Sequence, residues 1–423
     1  MDEARLVDAA VAAVWPEVEQ QLGFADFAAL ESAVLIHLRR IESLVDQSGS
    51  DVDSAVEELF SAFEPYKAIK RRLIDELEMQ ALLGERDGTM AGDAGSEARP
   101  PLRQLEMPVF FGTDRLQERG SGYGGYRGAL SYGGARVRIP DDHRLGDQGK
   151  PRNWRLRFAG RRDRESPLEQ ITPPGDYFDR LAKEVRDVER PEILIFIHGY
   201  NVDFISAVYR TARLARDIQF LGVPVLFSWP SRGSVKSYIE DGQNAEVSAQ
   251  HFGAFLTEIL QSTSVDKVHI VAHSMGNRAL IHALKDLDLS SLSGDAGRLG
   301  EVVFAAPDVD AEFFVQSARH FAGKAGRFTL YVSAKDKALV GSRTLAGYPR
   351  AGGGPIVIEG IDTIDASPLK TGIMSHSYFS DNVALLGDLH ALIRNGTPPE
   401  HRFGLQKRQH INGHSWFFGP QNH

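Results

Sequence analysis

The 423-residue chain contains no cysteine, which excludes disulfides, thiolate-held zinc or iron–sulfur centres and a cysteine nucleophile. It also lacks any apolar run near the roughly 20 residues of a membrane-spanning helix. Its first residues, MDEARLVDAA, are acidic, unlike the basic-then-apolar start of an export signal, so a cytoplasmic setting is expected. Positive charge is in short supply as well: the net charge of −9 argues against a general nucleic-acid binder. That deficit is uneven, because residues 1–100 hold 21 acidic against 9 basic side chains while the remaining 323 residues hold 36 against 39. No self-similarity at a repeat-protein period is evident. What is present, 42% apolar and 25% charged residues, is an ordinary globular composition on a chain long enough to bury a core.

Residues 1–83 have only two glycines, Gly23 and Gly49, and two prolines, Pro16 and Pro65. Phe24, Phe27, Leu30, Val34, Leu35, Leu38, Ile41 and Leu44 recur mostly at steps of three and four, which predicts an amphipathic helix over 25–47. Further helices are expected after Asp51 or Asp53 and over 66–83. The segment reads as a small helical bundle serving interaction with a protein partner or self-association. Residues 84–104, rich in Gly, Ala, Pro and charge, read as a linker.

After the linker, short β-rich runs appear at 107–115, 135–140, 154–158, 193–199, 224–230, 267–274, 301–308, 328–336 and 355–360. From 193 onward they alternate with helical stretches near 202–220, 241–262, 276–287 and 311–322. Continuous apolar strands alternating with helices predict an α/β fold with a mostly parallel sheet buried on both faces, edged by antiparallel strands from before residue 160. Gly120, Gly122 and Gly125 satisfy G-x-G-x-x-G literally, but a strand-like run follows where a dinucleotide site needs a helix. A glycine-rich hairpin is the better reading.

Chemistry concentrates in KVHIVAHSMGNRAL, an apolar strand, then Ala272-His273-Ser274-Met275-Gly276, then a helix-forming run. A serine becomes a useful nucleophile only when held exposed beside a base and near donors for a developing oxyanion. A sharp strand-to-helix turn with small residues two before and two after the serine supplies that exposure; this is the nucleophile elbow, with Ala272 where glycine is usual. Met275 N–H, at the helix start, is one expected oxyanion donor. The second is expected from Tyr200 in His198-Gly199-Tyr200-Asn201, with His198 bracing that loop.

The segments HGYN, FSWPSRG, AHSMGN, FAAPDVD, YVSAKDKAL and HSYF, in this order, resemble an uncharacterised bacterial family of α/β-hydrolases known only as a domain of unknown function. MPVFFGTDR and LSYGGARVRIP are similar to its N-terminal edge strands. The resemblance covers about residues 105–395 and leaves 1–83 and the tail 396–423 outside. It implies an α/β-hydrolase fold and an esterase-like serine triad, and no particular substrate.

Members of this fold place the acid and then the histidine after the serine. Counting 193–199 as the third strand makes 328–333 the seventh, so Asp336 in VSAKD is the leading acid and Asp308 in AAPDVD, after the sixth, the alternative; Asp310, Asp362 and Asp365 also stand near strand ends. His376 in MSHSYF is the expected base, taking the serine proton and returning it to the leaving group. His390 falls in a helical run. His401, His410, His414 and His423 lie in the tail, where the four-residue spacing of His410 and His414 lacks an acidic partner for a metal. Trp229 and Arg232 in FSWPSRG have two readings each: lining the substrate pocket, the arginine attracting an acidic group, or bracing the loop. Residues 233–251 could form a polar lid. The expectation is a serine hydrolase of carboxylic esters, small-molecule or lipid, working through Ser274, His376 and Asp336 with neither cofactor nor metal. The alternatives are a lipase or phospholipase effector directed by the N-terminal segment, and a non-catalytic interaction protein on the same fold.

Overall fold

The computed structural model describes residues 105–118, 122–139, 145, 168–170, 173–232, 237–288, 298–336, 338–339, 342–343, 347–369 and 382–419. The expected bundle at 1–83, the linker 84–104 and the strand at 154–158 lie outside them. The described residues all belong to one of two compact units, that of 103–343 and 347–423.

This unit is built on an 11-stranded sheet. In chain order the principal elements are β1 (Leu105–Gln117), β2 (Tyr123–Ile139), β3 (Leu168–Gln170), α1 (Pro174–Asp187), β4 (Glu192–Ile197), α2 (Phe204–Asp217), β5 (Val223–Ser228), α3 (Tyr238–Ser262) and β6 (Lys267–His273). There follow α4 (Gly276–Asp286), β7 (Leu299–Ala305), α5 (Ala311–Phe321), β8 (Arg327–Val332), β9 (Ile361–Asp365), α6 (Val383–Asn395), β10 (Leu405–His410) and β11 (Gly413–Phe418). The strand order is β10-β11-β9-β8-β7-β6-β4-β5-β1-β2-β3, and β4 through β9 run parallel.

Period-two burial divides each central strand between two apolar layers. Ile193, Ile195 and Ile197 of β4 pack on the face covered by α1, α3, α4 and α5, while Leu194 and Phe196 meet α2 and α6 on the other. Both faces are covered, so after Glu192 the strand reads as the unbroken apolar run ILIFI. Four central helices fall within three residues of their expected spans. α3 is the one that starts earlier than expected: it begins at Tyr238 and buries Asp241, Gly242, Asn244, Ala245, Ser248 and Ala249. From 238 to 251 the expected lid is therefore packed helix.

Three other differences concern the sheet margins. β1 pairs antiparallel with β2 but parallel with β5, so it lies inside the sheet, and the glycine-rich run does join a hairpin. The apolar run 355–360 is not the strand that pairs with β8; Ile361–Asp365 is, with Asp362 and Asp365 within it. The tail returns as the hairpin β10–β11, and β11 pairs with β9, extending the sheet well past residue 395. His410 and His414 are in this hairpin, His410 Nε2 lying 2.7 Å from Ser415 Oγ, and the described residues contain no cluster suited to a metal ion. His390 donates from Nδ1 to the Ile218 carbonyl.

The hairpin is anchored by a buried ion pair. Arg402 Nη1 lies 2.9 Å from Asp388 Oδ2, with neither side chain exposed, and Tyr331 OH donates to the same oxygen. Removing one member leaves a charge without its partner. Arg402→Met should lower the unfolding free energy by about 3–5 kcal/mol in urea titrations, and adding Asp388→Leu should recover part of that loss. A second tie joins α3 to β1, where His251 Nδ1 is 2.9 Å from Asp114 Oδ2. That hydrogen bond raises the His251 pKa above its ordinary value. The stabilisation is therefore present below the free histidine pKa of about 6.5 and fades as pH rises through the raised folded value. His251→Gln should cost more stability at about pH 5.5 than at about pH 9; an equal cost would contradict this.

Candidate active site

The chain passes from β4 to β5 on one side and then crosses back to β6 on the other, so the loops leaving β4 and β6 diverge. In an open α/β sheet a crevice forms at such a switch point, outside the carboxyl ends of the strands. The sequence places His198-Gly199-Tyr200-Asn201 at the first of these ends and His273-Ser274-Met275 at the second.

Ser274, expected to be held exposed, is buried at 1% exposure; it has φ +54, the left-handed region that costs a side-chain-bearing residue of order 1–3 kcal/mol. The surrounding bonds hold it there. Its N–H donates to Ala305 O at 2.9 Å, and its carbonyl accepts from Asn277 N at 3.1 Å and Asp308 N at 3.2 Å. Asn277 Nδ2 adds a bond to the same carbonyl at 2.9 Å and reaches Ala272 O and Ala305 O. Asn277 is fully buried and was not singled out from sequence; its place one step after Gly276 in AHSMGN was the available signal.

Two glycines let the β4 loop approach this elbow. A Cβ on Gly199 would stand 2.9 Å from Ser274 Cβ and 2.8 Å from His273 Nδ1, and one on Gly276 would stand 3.0 Å from Ile197 O and closer still to His198 O. Met275 occupies the N-terminal cap position of α4, where a helix leaves its first amides without internal acceptors. Tyr200 sits across the crevice with its ring edge-on to Tyr238, the centroids 5.4 Å apart.

The two candidate acids have different surroundings. Asp336 follows β8, is buried, and accepts from the backbone N–H groups of Ala338 and Leu339 at Oδ1, each at 3.1 Å. Asp308 is enclosed by side chains: Tyr238 OH donates to Oδ2 at 2.6 Å, Ser342 Oγ donates to Oδ1, and Arg350 Nε lies 3.3 Å from Oδ1. Burial and this carboxylate raise the Tyr238 pKa. His376 lies outside the described residues; the chain enters its segment from Leu369, just beyond the carboxyl end of β9.

Trp229 is fully buried, stacks on His198 at 5.0 Å and donates from Nε1 to His198 O at 2.7 Å. Arg232 pairs with Glu240 at 2.8 Å and lies over the Tyr126 ring. Both contacts brace the loops around the crevice. Beneath them lies a residue the sequence did not flag, Arg115 at the end of MPVFFGTDR. Its fully buried guanidinium donates to Ser228 Oγ, Gly124 O, Ser231 O, His198 Nε2 and Val202 O at 2.7–3.2 Å. Burial lowers its pKa to about 10. Burial, and then the Arg115 charge, push His198 well below its ordinary pKa, so the imidazole is neutral. Asp241, bonded to Ser231 Oγ and Arg232 N, is raised to about 6 by burial.

The family described as alpha/beta hydrolase of unknown function (DUF900) matches residues 176–395, just over half of the chain. The chain belongs to this family. As an alpha/beta hydrolase it carries the expected fold, and its matched span includes the elbow, the β4 loop and both candidate acids but not Arg115. Uncharacterized protein alr1448 from Nostoc sp. (strain PCC 7120 / SAG 25.82 / UTEX 2576) is 29% identical over 22% of this chain and 31% of its own length. The chain thus matches less than a third of that curated relative.

The glycine contacts give a direct test of the elbow packing. Gly276→Ala should lower the unfolding free energy by about 1–3 kcal/mol or more through overpacking. Gly387→Ala, at an exposed position of α6 with open space around the added methyl, should raise it by up to about 1 kcal/mol. Urea titrations of both variants beside the native protein distinguish packing from a general intolerance of alanine.

Proposed function

We propose that this hydrolase cleaves carboxylic esters by acyl transfer through Ser274, with His376 as base, Asp336 as its orienting acid and the N–H groups of Tyr200 and Met275 as oxyanion donors. The observation that carries this reading is the left-handed backbone of Ser274 at a strand-to-helix turn, the strained geometry that presents a serine hydroxyl at the top of such a sheet. In the first half-reaction Ser274 Oγ attacks the ester carbonyl while His376 takes its proton. The tetrahedral oxyanion is held by the two amides, and collapse expels the alcohol with the proton returned from His376. Water repeats the sequence on the acyl-enzyme.

Asp336 is preferred to Asp308 because it follows β8, the strand after which the count along the sheet expects the acid, whereas both oxygens of Asp308 are engaged by Tyr238, Ser342 and Arg350. A cytoplasmic setting remains part of the proposal. A lipase-like preference draws on exposed apolar side chains on elements around the crevice, Tyr126 and Ile239 among them, 59% and 74% exposed.

A fluorophosphonate probe should label the native protein and not Ser274→Ala, and short acyl esters should be hydrolysed only by the former. Absence of labelling would remove the ester reading and leave a non-catalytic role for the fold; rates rising steadily to the longest chains would favour the lipase form. Asp336→Asn should lower kcat by about 10⁴, and Asp308→Asn should act mainly on stability. Loss of turnover confined to Asp308→Asn would reverse the assignment of the acid.

A further inference from the structure

We propose that Arg115 and His198 are positioning residues that aim the Tyr200 N–H at the reacting oxygen, through the tautomer of His198; this rests on the ester-hydrolase reading above. His198 Nδ1 lies 2.8 Å from Gly199 O. A carbonyl oxygen only accepts, so Nδ1 carries the proton and donates. Nε2, left with its lone pair, faces Arg115 Nη2 at 3.2 Å and Ser228 Oγ at 3.0 Å. The guanidinium has only donors, and Ser228 Oγ already accepts from Arg115 Nε at 2.8 Å, leaving its hydroxyl hydrogen for Nε2. The opposite tautomer would set a ring N–H against an arginine N–H and a lone pair against a carbonyl. Arg115 therefore selects the Nδ1–H form.

The consequence passes through one peptide. Gly199 C=O and Tyr200 N–H belong to the same planar trans unit and point in opposite directions. Fixing the carbonyl on His198 fixes the direction of the N–H, and this peptide starts at Gly199, packed against Ser274 Cβ. The same arginine secures the far end of the loop at Val202 O, 2.7 Å away, while Val202 N–H donates to Ser231 Oγ. Between them Asn201 is held at φ +58. The peptide bearing the proposed donor is thus fixed from both sides before any substrate arrives, the condition under which an oxyanion donor costs no reorganisation.

Full-length native protein, Arg115→Ala, His198→Leu and His198→Asn are to be compared on p-nitrophenyl acetate. We expect kcat to fall about 100-fold in Arg115→Ala and His198→Leu with KM changed by less than about threefold, the scale and pattern of losing one oxyanion donor. The asparagine amide N–H takes the place of Nδ1–H, and His198→Asn should recover at least about tenfold of that loss. Methylguanidine should partly restore Arg115→Ala. A folded His198→Leu with kcat within about fivefold of native, or an asparagine variant no better than leucine, overturns the proposal. Selective ¹⁵N-histidine NMR supplies an arm that needs no turnover: His198, assigned by its loss in His198→Asn, should show the Nδ1–H pattern in native protein and lose it in Arg115→Ala. The Nε2–H pattern in native protein also overturns the proposal. A native protein that neither hydrolyses the ester nor reacts with fluorophosphonate refutes the ester reading and with it the catalytic consequence, while the tautomer is still judged by NMR.

Discussion

The end of the sheet that carries the candidate site depends on how closely two backbones approach. β4 and β6 are neighbours in the sheet, and the loop leaving one must pass over the turn leaving the other with no room for a Cβ at Gly199 or Gly276. The same crowding accounts for where strain collects. Asn201, Ser274 and Ala306 follow β4, β6 and β7, three adjacent strands, and all have left-handed backbone without being glycine. Such conformations persist only where surrounding bonds over-determine them. Here those bonds come from Asn277, Ala305, Asp308 and Tyr331 O, so the site is shaped by the sheet ends rather than by the loops alone.

The protein buries two arginines in different ways. Arg115 is surrounded by carbonyls, a hydroxyl and an imidazole, five acceptors for five N–H groups, with Asp203, Asp114 and Asp241 acting on it through space. Its desolvation is offset by a complete set of hydrogen bonds, which also gives it a fixed orientation. Arg402 instead meets Asp388 directly, and Arg402 Nε and Nη2 and Asp388 Oδ1 have no protein partner among the described residues. Waters commonly complete such groups. The first arrangement suits a position where direction matters, the second one where an edge hairpin must be fastened.

How much was legible in the sequence follows from how each element is buried. β4 to β8 are covered on both faces and show as mainly apolar runs, and the helices between them carry regular periodicity. β9 was displaced to the more apolar 355–360 because IDTID buries Thr363 and Asp365, residues that read as polar. β10, LQKRQH, is an exposed edge strand whose composition resembles a loop. Among the candidate site residues, Ser274, Met275, Tyr200 and the two acids were singled out by local turn chemistry and strand order. Arg115 was not, since its partners His198 and Ser228 lie 83 and 113 residues away, a pairing that a local pattern does not encode.

The position of β1 has a kinetic side. It enters the sheet beside β5, Phe110 opposite Val225, so the ends of a long chain loop must meet before either strand has its full set of neighbours. Non-local pairings of this kind slow folding, because loop closure precedes the contacts that compensate it. On a ribosome the first hairpin must wait for more than a hundred further residues before its arginine finds all its acceptors, the last of them Ser231 O. The buried arginine is therefore fastened only after β5 has followed.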